Sequence, residues 1–122
     1  MDFTLSEEQQ GFVDTAQAFA DDVLAPNAAQ WDEDCFFPKD ALRQAGELGF
    51  MGMYTPENAG GLALPRLDAS LIVEELAKGC TTTAAFLTIH NMASWMLASF
   101  ADQALKDAWL PRLVSGELLA SY

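Results

Sequence analysis

Few side chains in this 122-residue sequence have the type and spacing that chemistry needs. His90 is the one histidine, and Cys35 and Cys80 are the two cysteines, far apart in the chain. A zinc site takes three or four such ligands, so these residues cannot assemble one. The chain start Met1-Asp2-Phe3 is acidic where an export signal is basic, which points to an intracellular protein with reduced thiols. Gly60-Gly61 lacks the preceding strand and following helix of a phosphate-cradling loop and reads as a turn. A lone histidine on an apolar helix is more often hydrogen-bonded in a core than catalytic. One further pattern stands out: Phe86, Ile89, His90 and Ala93 are spaced i, i+3, i+4, i+7, which sets them on one face of a helix. Such a face can be ordinary core, or it can wall an apolar pocket.

The carboxylates are numerous and lopsided, half of them lying before Cys35. Asp and Glu number 18 against 6 Lys and Arg, for a formal charge of −12. No cluster of basic residues is present to displace counterions, which argues against nucleic acid and anionic membrane surfaces as partners. Asp32-Glu33-Asp34 reads as solvated surface. With 51% hydrophobic residues the chain is nevertheless globular, one domain with a core of its own. Residues 79 to 101 carry no charge, a length that raises the question of a membrane span. Thr81, Thr82, Thr83, Thr88, His90, Asn91, Ser94 and Ser99 interrupt the run, and that many polar groups are costly in hydrocarbon. A buried helix of a soluble protein fits better.

The elements that must position these residues are helical. Ser6 and Gln9 have capping-box spacing, and Phe12, Val13, Ala16, Phe19, Ala20 and Val23 follow with helical period, with Pro26 marking the end region. Pro38 opens a shorter helix with the stripe Leu42, Ala45 and Leu48, closed by Gly49. Residues 55 to 65 form a loop. A helix from Pro65 buries Leu67, Leu71, Ile72 and Leu76, turns Glu74 and Glu75 outward, and ends at Gly79. The uncharged run is the fourth and central helix. Asp102 caps a fifth that carries Leu105, Trp109 and Leu113 and ends at Gly116. Trp31, Trp95 and Trp109 read as packing residues. Leu118 to Tyr122 resembles the opening of a strand. The expected fold is therefore an all-α bundle of about five helices ending in the first residues of a β-strand.

The order of these segments resembles the amino-terminal helical domain of the acyl-CoA dehydrogenases. The resemblance is carried by Leu5-Ser6-Glu7-Glu8-Gln9, Gly49-Phe50-Met51-Gly52-Met53 before Thr55-Pro56-Glu57, the Gly60-Gly61 loop, Glu74-Glu75-Leu76-Ala77, Gly79-Cys80, and the closing Gly116-Glu117-Leu118-Leu119-Ala120-Ser121-Tyr122. Thr81 to Phe86 and Ile89-His90-Asn91-Met92 are most similar to the isobutyryl-CoA, short branched-chain branch. The loop departs from the family's usual form at Ala59 and Ala63, where an aromatic and a glycine are common.

The resemblance implies a flavoenzyme in which residues 1–117 are the N-terminal helical domain and 118–122 the start of a middle β domain. It implies FAD as cofactor, an acyl-CoA substrate, electron-transferring flavoprotein as electron acceptor, a homo-oligomer, and a cytoplasmic location, or the mitochondrial matrix in a eukaryote. The family's catalytic glutamate and most of its FAD site fall beyond Tyr122, so no catalytic residue is assigned here, and the 122 residues alone are expected neither to bind FAD nor to catalyse. Matched through Asn91, the family's acyl-pocket positions fall on Phe86, Ile89, His90 and Ala93, and Tyr122 takes the first position of its flavin segment. A free-standing helical interaction module with the same fold is the alternative, and an oxidase on the same scaffold is a further one.

Overall fold

Ser6 and Gln9 start the first helix reciprocally. Ser6 Oγ accepts the Gln9 amide at 3.1 Å and Gln9 Oε1 accepts the Ser6 amide at 3.0 Å, which satisfies donors that a helix start otherwise leaves unpaired. From this cap α1 runs over Glu7–Phe19 in the computed structural model, which describes residues 1–122. The expected end at Pro26 does not occur. Ala20–Leu24 widens into a π turn and the helix continues as α2, Ala25–Glu33. Proline lacks an amide proton, and its ring collides with the carbonyl four residues back in an α-helix. Here the Ala25 amide bonds the Ala20 carbonyl, five residues back, and the wider turn carries the rod past the proline.

Pro38 opens α3, Lys39–Glu47, which buries Ala41, Leu42 and Ala45. Leu48 was expected to extend that stripe, but it caps the helix and is 41% exposed, because Gly49 turns the chain away at φ +87°. The following stretch, Phe50 to Met53, is buried although it belongs to no helix or strand. The returning loop partners it: the Leu62 amide reaches the Gly52 carbonyl at 2.9 Å and the Leu64 amide the Met53 carbonyl at 2.7 Å. Only glycine fits at position 61, where a Cβ would stand 2.0 Å from the Thr55 carbonyl oxygen.

Three helices complete the bundle: α4 (Arg66–Gly79), α5 (Thr81–Phe100) and α6 (Gln103–Val114). The buried stripe of α4 is Ala69, Ile72 and Leu76, so Leu67 lies on the opposite side, 64% exposed, and Leu71 is half-buried. The Glu75 side chain, expected outward, is only 13% exposed and pairs with Lys78. Asp102 caps α6 by accepting the Leu105 amide at 2.9 Å. That helix buries Leu110, Leu113 and Val114, while Leu105 and Trp109 face an open groove. The core gathers Phe19, Leu24, Leu42, Phe50, Met51, Met53, Ile72, Leu76 and Leu87.

With α1, the π turn and α2 counted as one rod, the fold is five helical rods and all-α. The rod packs on α4, α4 on α5, and α5 on α6. Leu118 to Tyr122 pairs with no strand. No helix is long and apolar enough to cross a membrane, and both cysteines are free.

The end of α4 meets the π turn so closely that a Cβ at Gly79 would stand 2.8 Å from the Ala20 carbonyl oxygen and 2.9 Å from the Ala20 and Leu24 Cβ atoms. Gly79→Ala is therefore expected to destabilise the fold by about 1–3 kcal/mol through overpacking. Gly11→Ala, with nothing within 4 Å on the exposed side of α1, is expected to stabilise it by roughly 0.5–1 kcal/mol. Urea midpoints that move in opposite directions will check the pair.

Candidate functional site

The site residues depend on α5, and α5 depends on an unusual inner face. The helix begins at Cys80, whose Sγ accepts the Thr83 hydroxyl at 3.1 Å and the Thr83 amide at 3.5 Å. Its buried positions are Thr83, Ala84, Leu87, His90, Asn91 and Ser94. They recur every three or four residues as a core stripe should, but most are polar. Buried polar groups are tolerated when they are hydrogen-bonded, and the two largest are.

Asn91 is 1% exposed. Its Oδ1 accepts the Met53 amide at 2.7 Å, and its Nδ2 donates to the carbonyls of Phe50 at 2.8 Å and Leu87 at 2.9 Å. One side chain thus supplies both the acceptor and the donor that the Phe50–Met53 stretch lacks. His90 is wholly buried. Its Nδ1 accepts the Ala120 amide at 3.1 Å and its Nε2 lies 3.1 Å from the Leu113 carbonyl. An amide can only donate, so Nδ1 carries the lone pair and Nε2 the proton, which it gives to Leu113. The ring is a neutral imidazole with both nitrogens committed to backbone. Burial pushes its pKa below the ordinary histidine range, against the opposing pull of the Leu113 and Met51 carbonyls.

Of the five residues singled out by sequence, His90 belongs to this pair and the other four fall around it. Phe86, half-buried, meets Phe37 edge-on with ring centroids 5.1 Å apart and lies tilted over the His90 ring at 6.2 Å. Ile89 is half-buried on the next turn. Ala93 opens on a different space, a groove of about 340 Å³ that it lines with Leu97, Leu105, Trp109, Leu113 and the stretch Leu118 to Ala120, with no polar side chain among them. Tyr122 is 76% exposed and lies over α5, its hydroxyl donating to Met92 Sδ at 3.7 Å. The structure therefore joins Phe86 to His90, and Ala93 to the closing segment, but does not gather the helix face into one cavity.

Three placements were not anticipated. Phe37, half exposed before Pro38, braces Phe86, and the only advance sign was an aromatic pair, Phe36-Phe37, beside a helix start. Leu105 and Trp109 are groove wall rather than core.

A capped helical rod, a strapped glycine loop and an uncharged central helix carrying this paired brace are the parts of a known domain. Residues 6–117 match the acyl-CoA dehydrogenase N-terminal domain, and the chain belongs to that family. It is 43% identical to the mitochondrial isobutyryl-CoA dehydrogenase of Dictyostelium discoideum and 44% identical to that of Bos taurus, in each case over 97% of this chain and 28% of the relative. A glutaryl-CoA dehydrogenase solved with glutaryl-CoA superposes with a TM-score of 0.91 at 34% identity, over 98% of this chain and 31% of that one. The chain thus spans less than a third of the length of the relatives it matches.

Asn91→Ala is expected to leave the Met53 amide and Phe50 carbonyl buried without their partner, at about 1–3 kcal/mol for each group. Chemical unfolding should show the loss, and amide exchange at Met53 should accelerate before that of α4.

Proposed function

We propose that this chain serves as the amino-terminal helical domain of an FAD-dependent dehydrogenase of short or branched acyl-CoA thioesters. The observation that carries the reading is the 43–44% identity to isobutyryl-CoA dehydrogenases across 97% of the chain. In this role α5 gives one wall of an acyl pocket that the other domains complete, through Phe86, Ile89 and Ala93, with His90 behind them. The bulk of Phe86 and Ile89 shortens the cavity, and Phe37 behind Phe86 keeps that ring from yielding. A compact branched acyl group fits such a space better than a long straight one.

Residues 118–122 are read as the entry to a middle β domain, where Tyr122 lies beside the flavin. Its exposed ring suits contact with a planar heterocycle. Bound FAD supplies the two-electron acceptor for α,β-dehydrogenation, and this chain contributes shape and orientation rather than a proton-transfer group. The assembled protein is a homo-oligomer that passes electrons to an electron-transferring flavoprotein, in the cytoplasm or the mitochondrial matrix. The exposed Met96 and Phe100 of α5 and Trp109 of α6 are apolar surface for the other domains or subunits to cover.

The test is made on the full protein that contains this domain. It should purify with FAD and reduce a dye acceptor with isobutyryl-CoA in preference to longer straight-chain acyl-CoAs. Phe86→Ala should shift the ratio of kcat/KM toward the longer chains by about tenfold, the scale of one methylene group in an apolar pocket. A preparation without flavin would overturn the enzymatic role, and an unchanged chain-length ratio would return Phe86 to ordinary packing.

A further inference from the structure

The closing segment, Leu118 to Tyr122, lies on the bundle without a strand partner, so its placement rests on few contacts. Leu118 donates its amide to the Arg112 carbonyl at 3.1 Å, Leu119 packs against the core, Ala120 donates to His90 Nδ1 at 3.1 Å, and Tyr122 reaches Met92. The bond to Leu118 only closes the turn after α6. The bond to His90 is the one backbone link between the far end of the segment and α5. It is also stiff, because the imidazole is wholly buried and its other nitrogen is anchored on Leu113 in the last turn of α6.

We propose that His90 is a positioning residue for Tyr122: by holding the Ala120 amide it clasps the closing segment to α5, and protonation of the ring opens the clasp. The chemistry of the second half follows from the first. A proton added to the imidazole goes to Nδ1, whose lone pair is the acceptor, and two N–H donors then face each other. The surroundings offer nothing to hold the cation except the carbonyls of Leu113 and Met51. No charged residue lies on α5 between Lys78 and Asp102. On α6 and its following turn, Arg112 pairs with Glu117 at the surface, Asp107 accepts from Gln103, and Lys106 lines a separate cleft with Pro56 and Asn58. The segment itself brings only Tyr122. Burial lowers the histidine's pKa in the folded chain, so the folded state is penalised as pH falls below the ordinary value of 6.5 and the clasp is lost on passing the depressed one.

That Tyr122 is being aimed at a flavin rests on the proposed function; the clasp does not, and it is tested in this chain without any cofactor. In ¹⁵N-labelled protein His90 should show the Nε2–H tautomer, and the Ala120 amide should be protected at least tenfold over Ser121. That protection, corrected for intrinsic exchange, should vanish along the His90 titration curve while Met53, held by Asn91, stays protected. His90→Gln keeps a donor near Leu113 and should expose Ala120 at least tenfold, whereas His90→Asn places an acceptor near the Nδ1 position and should restore part of the protection. A role in packing alone predicts equal protection of Ala120 in both variants, and that result would overturn the proposal. So would an Ala120 amide already unprotected at neutral pH, or a His90 that stays neutral until the whole domain unfolds. The wild-type titration decides the matter even if neither variant folds.

Discussion

The bundle closes only because one carboxamide stands in for a missing strand. Phe50, Met51 and Met53 bring three large apolar side chains into the core, but the backbone that carries them has no helix ladder of its own. A buried peptide group without a partner costs about 1–3 kcal/mol, which offsets much of what burying one large apolar side chain contributes. Asn91 resolves the conflict by presenting the same donor and acceptor that a neighbouring peptide would, while its third bond, to Leu87 on its own helix, fixes its rotamer. The returning loop, strapped to the other side of the same stretch by Leu62 and Leu64, depends on that placement in turn.

His90 does the same work one residue earlier and about 100° around the helix. Its two bonds tie the end of α6 and the closing segment to α5. The uncharged helix is therefore the hub of the domain in a specific sense: adjacent polar residues hold two of the pieces of chain that lack regular structure, the Phe50–Met53 stretch and the closing segment. Its remaining faces are freed for apolar contact, which leaves Phe86 edge-on against Phe37 and Ala93 on the apolar groove beside α6.

Much of this was legible in the residues. The capping box at Ser6, the prolines before α3 and α4, the cap at Asp102 and the charge-free run placed the start of every rod and the all-α class, though not the continuation of the first rod past Pro26, and the order of short motifs pointed to the family. The misplacements have physical causes. Leu48, Leu67, Leu105 and Trp109 are apolar and near enough to helical period to look buried, but a stripe's phase is set by the helix it packs against, which lies elsewhere in the chain. Glu75 looked like surface until Lys78 gave it a partner. The His90-Asn91 pair was visible as polarity in an apolar helix, yet its partners lie 38 and 41 residues back for Asn91 and 23 and 30 ahead for His90. No local pattern encodes them.

The π turn has a consequence for how the first rod is built. It holds one residue more than an α-helical turn, so everything after Leu24 is rotated by about 100° from where an unbroken helix would put it. The two halves are out of phase, and each can present its own side to a different neighbour: Ala16 and Phe19 inward before the turn, Trp31 against the core after it. The apolar rhythm therefore stops at Val23 although the helix does not. Winding the same residues as a regular α-helix would turn the second half the wrong way, whereas deleting a single residue between Ala20 and Leu24 would straighten the helix and keep that half's present facing. The irregularity acts as a phase shifter, and the position of Trp31, hence of the Cys35–Pro38 turn and of Phe37 behind Phe86, is inherited from that one extra residue.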